Sequence, residues 1–155
     1  MKWNGLTRRA ALGFGVLWLC GALPAQAADG AATLPAVLTS GFAAWTRGGA
    51  SQALDTWQKG GLLEGDRKVA VEVNYFSRVA PAIGAYKSAD VLQAQTVSQF
   101  SQIIYLAMNF DRAVVYARFL LYHTAQDWVV QNMDFNVKPE VVIPWMALPA
   151  SSAAD

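Results

Sequence analysis

The chain changes its periodicity once, at Gly84-Ala85, and that change most limits what it can fold into. Before it, apolar residues return at helical intervals. After it come four runs rich in β-branched and aromatic residues, at about 86–97, 101–110, 113–123 and 127–136, separated by turns of a few residues. Runs joined so tightly must pair antiparallel, because a parallel pair needs a crossover of a dozen residues or more. Helices first and a meander of strands afterwards predict an α+β fold. N-terminal helices should pack on one face of a curved antiparallel sheet of about four strands.

The helical half divides at its glycines. Thr33 is placed to cap a helix with Pro35 in its first turn, and Leu34, Val37, Leu38, Phe42 and Trp45 then form a stripe. Gly48-Gly49 should stop it. Ser51 opens a second helix, with Ala53, Leu54 and Trp57 on one face, which Gly60-Gly61 closes. Residues 62–83 carry two patterns. Val69, Val73, Phe76, Ala80 and Ile83 fit a helix, whereas Val69, Val71, Val73 and Tyr75 alternate like a strand. Lys68 and Glu72, four apart, favour a helix ending at Pro81 and Gly84.

In the strand half, Asn109-Phe110-Asp111-Arg112 reads as a hairpin turn, and residues 123–127 as another. The last run puts Trp128 and Val130 on one face but Met133 and Phe135 on the opposite parity. A β-bulge near Gln131-Asn132 would reconcile them. Pro139 and Pro144 break up the exit. A single domain over 33–146 is expected, with a loose segment at 28–32 and a disordered tail at 147–155.

Residues 1–27 have the pattern of an export signal: Lys2, Arg8 and Arg9, then the apolar run Ala10 to Leu23, then Ala25-Gln26-Ala27. Cleavage after Ala27 and a periplasmic or secreted location are expected. Arg8-Arg9 fits the twin-arginine route as well as an ordinary n-region. Without those residues the only Cys, Cys20, is lost, and a net charge of +1 becomes about −2. No later segment is apolar enough to span a bilayer, and no basic footprint suggests nucleic acid.

The segments Phe42 to Leu54, Ile83-Gly84-Ala85-Tyr86, Phe119-Leu120-Leu121-Tyr122 and Trp128 to Asn136 resemble small exported proteins of the nuclear transport factor two-like, cystatin-like fold. The resemblance runs over about residues 33–144. Its most specific part is Trp128-x-Val130-x-x-Met133-x-Phe135-Asn136. It implies a cone, with a sheet wrapped around helices and a pocket inside. Because that fold hosts isomerases, dehydratases, cyclases, scaffolds and transport factors, it implies no one reaction.

Chemical motifs are missing. There is no phosphate-binding loop, dinucleotide fingerprint, zinc-protease helix or nucleophile elbow, and one His with one Cys cannot build a zinc site alone. No cofactor, metal or catalytic residue is assigned. Among the carboxylates, Asp111 and Asp127 fall in turns, Glu72 is placed to pair with Lys68, and Asp134 should point to water. The aromatics, Trp45, Trp57, Tyr75, Phe76, Tyr86 and others, either fill a core or line a pocket in which Tyr hydroxyls orient a ligand.

One strand is more explicit. Val115, Ala117, Phe119 and Leu121 share an apolar face that should meet the helices. Val114, Tyr116, Arg118, Leu120 and Tyr122 share the other, where Arg118 is the only charge. Arg118, with Tyr116, Tyr105, Tyr122 and Trp128, is the candidate ligand site, its guanidinium suited to an anionic group. The leading expectation is a domain that binds a small apolar, amphipathic or anionic molecule. The alternatives are an interaction module that dimerises through an open sheet face, and an isomerase- or dehydratase-like enzyme.

Overall fold

The computed structural model describes residues 34–144. Helix α1 spans Ala36–Gln58 and α2 spans Arg67–Ile83. Strands β1 (Tyr86–Ser98), β2 (Ser101–Phe110), β3 (Val114–His123) and β4 (Trp128–Asn136) follow, and then a one-turn helix, α3 (Pro139–Val142). The four strands form one antiparallel sheet in the order β1-β2-β3-β4, so neighbours in sequence are neighbours in space. The α+β class with helices packed on a sheet is therefore observed. The segment expected to direct export, the expected loose stretch at 28–32, Thr33 and the expected C-terminal tail from 147 lie outside the described residues.

The helical half matches its reading apart from details at two prolines. Pro35 sits at the N-cap rather than within the first turn. The two expected N-terminal helices are present as the two arms of α1, separated as expected by a break at Gly48 and Gly49. Gly49, at φ 74° and ψ −165°, occupies a region essentially reserved for glycine, so the chain turns there and resumes helix at once. Pro81 lies within the last turn of α2, and Gly84 caps it. The ambiguous stretch is helical from Arg67. Asp66 caps it by accepting the Lys68 backbone N–H at 2.7 Å, and Val69, Phe76 and Ile83, seven residues apart, form its buried stripe.

Between helices and sheet lies one aromatic and aliphatic core. Leu38, Phe42, Trp45, Leu54 and Trp57 of α1 meet Phe76 of α2. The sheet contributes Ile104, Leu106, Met108 and Phe110 of β2, Val115, Ala117, Phe119 and Leu121 of β3, and Val130, Met133 and Phe135 of β4. Trp57 has no exposed surface and meets Phe42 and Phe119 edge-on, with ring centroids at 5.1 and 4.9 Å. Each such pair contributes about 0.5–1.5 kcal/mol beyond the area it buries. The bulge in β4 is present. Leu120 faces Asn132 while Leu121 faces Val130, which leaves Gln131 unpaired and turns both Val130 and Met133 inward.

The outer sheet face is not bare. Val142 and Ile143 pack on Tyr105, with Leu92, Ile103 and Tyr116 around them, in a small second core. Pro139 therefore starts a turn of helix at N1, a position that needs no N–H, rather than merely interrupting the exit. Among the described residues, no helix is long and apolar enough to cross a membrane.

Candidate functional site

The residues singled out in sequence divide between two places. Arg118, Tyr105 and Tyr116 meet on the outer face: Tyr105 is the cross-strand partner of Arg118, and Tyr116 pairs with Ala107. Tyr105 is 3% exposed, a filler of the small core beneath Ile143. Tyr122 lies farther along the same face and is exposed. Trp128 is on the helix side, packed against the main core and edge-on to His123 at 4.9 Å.

Arg118 has a partner within the chain. Its Nη2 and Nε donate to Asp134 Oδ2 at 2.6 and 3.1 Å. Asp134 Oδ1 accepts from Lys68 Nζ at 2.7 Å, Lys68 also donates to Asn132 Oδ1, and Asn132 Nδ2 donates to Asp134 Oδ2 at 3.2 Å. Two expectations are corrected here. Asp134 does not point to water, because its cross-strand neighbour Arg118 and the reach of Lys68 from α2 enclose it. Lys68 spends its hydrogen bonds on Asn132 and Asp134 rather than on Glu72, since β4 lies within reach of its long stem. Burial opposes the Asp134 charge, yet the hydrogen bonds and charges of Lys68 and Arg118 together hold its carboxyl below the usual range. Burial pushes Glu72 upward. Lys68 offsets part of that, and the Asp134 charge adds to it. The cluster thus ties α2 to β3 and β4 through charges that satisfy one another.

Elsewhere the helices leave a gap. Beside the α1 kink, a pocket of about 400 Å³ opens between α1, the second half of α2 and the start of β1. Its volume lies in the range of small-molecule sites. Trp45, Phe76, Tyr86 and Phe110 form its walls, and Thr46, Ser51 and Ser77 add hydroxyls. The rings brace one another. Trp45 meets Phe76 edge-on at 4.7 Å, and Tyr86 stacks on Phe42 at 5.9 Å with an interplanar angle of 6°. Burial, with a smaller contribution from the Asp90 charge, pushes the Tyr86 phenol up to about 12, so it stays neutral.

The pocket rim is fixed by a tight turn. Gly84 adopts φ 84° and ψ −162°, and a Cβ there would stand 2.7 Å from the Asp111 Cβ. Asp111 Oδ2 accepts the Ala85 N–H at 2.8 Å, its Oδ1 pairs with Lys87 at 3.2 Å, and Arg112 donates to the Pro81 carbonyl. Those contacts set where Tyr86 leaves the helix cap and enters the sheet. The backbone bond from Ala85, then Lys87, keep the exposed Asp111 carboxyl below its usual range.

None of the five residues proposed from sequence lines this pocket. Trp45, Phe76 and Tyr86 stand among the aromatics noted in sequence, whereas Phe110 and the hydroxyls of Thr46, Ser51 and Ser77 were missed. The Gly48-Gly49 pair was the available signal, since a kink in a packed helix separates side chains that a straight helix would press together. A larger cleft of about 700 Å³ includes Val37, Ser40, Lys59, Asp127 and Trp128, but much of its wall is the β3–β4 turn rather than packed rings.

No group of three or more His, Cys, Asp or Glu able to hold a metal occurs among the described residues. Neither a family model, nor a curated protein, nor a solved structure matches the chain.

Proposed function

We propose that the chain is an exported binding domain that holds a small apolar or amphipathic molecule between its helices and its sheet. The observation that carries this reading is the pocket beside the α1 kink: about 400 Å³, walled by four aromatic rings and edged by hydroxyls. Apolar walls supply affinity through burial and a few polar groups set orientation. The outer-face cluster supports a structural part for Arg118, because its guanidinium is already engaged by Asp134. The resemblance to the nuclear transport factor two-like fold is supported by the order of helices and strands alone. Export rests on residues 1–27.

Ala80 lies on the pocket wall and is exposed, so Ala80→Trp should fill the space without disturbing the core. Native mass spectrometry of the purified protein should find a bound organic molecule that Ala80→Trp releases at unchanged thermal stability. A wild-type protein that carries no such molecule and takes up no apolar probe would overturn the reading.

A further inference from the structure

Of the three hydroxyls that edge the pocket, those of Thr46 and Ser77 are committed to their own helices, and that of Ser51 is not. Thr46 Oγ1 donates to the Phe42 carbonyl at 3.2 Å, and Ser77 Oγ donates to the Val73 carbonyl at 2.9 Å. Each has given its only proton to its own helix and retains lone pairs, so each can offer a ligand an acceptor but not a donor. Tyr86 is the only ionisable side chain among the described residues lining the pocket, and it lies at the wall rather than across an ion pair. No hydrogen bond to its hydroxyl occurs among the described residues, which leaves its proton available. No cation faces the pocket from its described lining, so an anion entering there would lose water without gaining a counter-charge.

Resting on the binding reading above, we infer that the pocket selects an uncharged apolar ring compound bearing a hydroxyl or N–H group over the corresponding carboxylate. The ligand's donor goes to Thr46 or Ser77, and its oxygen accepts from Tyr86. A compound of the same shape without that group satisfies the rings but not the rim. A carboxylate satisfies neither Thr46 nor Ser77, because both then present lone pairs to a negative charge.

The probes are 2-naphthol, naphthalene and 2-naphthoate, measured at neutral pH by calorimetry and by amide and indole NMR shifts at Trp45 and Ala85. The expected order is 2-naphthol, then naphthalene weaker by about three- to tenfold, then 2-naphthoate weaker than 2-naphthol by more than about tenfold. The double variant Thr46→Val with Ser77→Ala keeps the packing, removes the two committed acceptors and leaves the Ser51 hydroxyl in place. It should weaken 2-naphthol by about three- to tenfold and leave naphthalene unchanged. Equal binding of all three probes with shifts at Trp45 would overturn this selectivity while leaving the pocket as a binding site. Tighter binding of 2-naphthoate would also overturn it. No binding by any probe, or shifts confined to other residues, would overturn the pocket reading and the selectivity with it.

Discussion

Removing the carboxylate that joins α2 to the sheet tests whether Arg118 is a structural group. In Asp134→Ala, the Arg118 fork loses both of its bonds to that residue and Lys68 keeps only Asn132. Charge-assisted hydrogen bonds contribute about 1.5–3 kcal/mol when buried, and exposed ion pairs about 0.2–1 kcal/mol. The three side chains are 39%, 32% and 31% exposed, between those limits. A loss of about 1–2.5 kcal/mol follows, or roughly 4–10 °C in Tm for a domain of this size. Arg118→Leu should cost less, about 0.5–1 kcal/mol, because Asp134 keeps Lys68 and Asn132 and the leucine still covers the strand. In the double variant, the two losses should fall short of additivity by about 0.5–1 kcal/mol, the signature of a direct pair. Urea denaturation of the four proteins reads all three quantities. The Asp134 carboxyl is depressed in the folded state, so its contribution is fully present above its ordinary value near 3.8 and disappears as pH falls through the lower folded value. Asp134→Asn should therefore flatten the acid limb of the stability curve below about pH 4. Additive losses, or Asp134→Ala within about 0.3 kcal/mol of wild type, would refute the clamp.

Other perturbations separate the remaining parts of the argument. Gly84→Ala forces a side chain into positive φ and into Asp111, and should cost about 1–3 kcal/mol, with the NMR signals of Tyr86 shifting; a stability gain in urea denaturation would refute it. The Asp111 carboxyl is depressed as well, so its bond to Ala85 should persist down to acid pH and break only below its lowered value. Asp111→Asn should make the Ala85 amide exchange faster at neutral pH, read by hydrogen exchange. N-terminal sequencing of exported protein should begin at Ala28, and a retained Met1 would refute cleavage. Exchanging Arg8-Arg9 for two lysines should block export if the twin-arginine route is used.

The elements were legible wherever a period had only one solution. In β3 the alternation from Val114 to Tyr122 assigns each residue a face, and the burial pattern follows it. The change of parity from Val130 to Met133 admitted one remedy, an extra residue, and Gln131 is that residue. In α2 the helical and strand patterns shared Val69 and Val73. The deeper stripe through Phe76 and Ile83 decides for helix, although the Lys68–Glu72 spacing that favoured it reports no bond. The site was less legible because it depends on angles between elements. Whether Trp45 and Phe76 close against each other or leave a space is set by the α1 kink and by where Gly84 releases the chain. Periodicity carries neither quantity. Arg118 drew attention as a lone charge on an apolar face, but its partner stands sixteen residues away on β4, visible only once strand register is known.

The irregularities of β1 bear on edge-to-edge association. From Val91 to Phe110 the chain carries no charged residue, and β1 is an edge strand of thirteen residues. A flat edge of that composition would template the addition of another chain, the route to fibrous aggregates. Register shifts at Lys87, Leu92 and Val97 break the strand so that no more than four successive residues keep regular pairing. Each shift bends the edge and presents the next chain with mismatched N–H and C=O groups. Deleting Leu92 would join Ser88–Val91 and Gln93–Thr96 into one regular edge of eight residues with Asp90 as its single charge, so what looks like imperfect pairing acts as a guard against self-assembly.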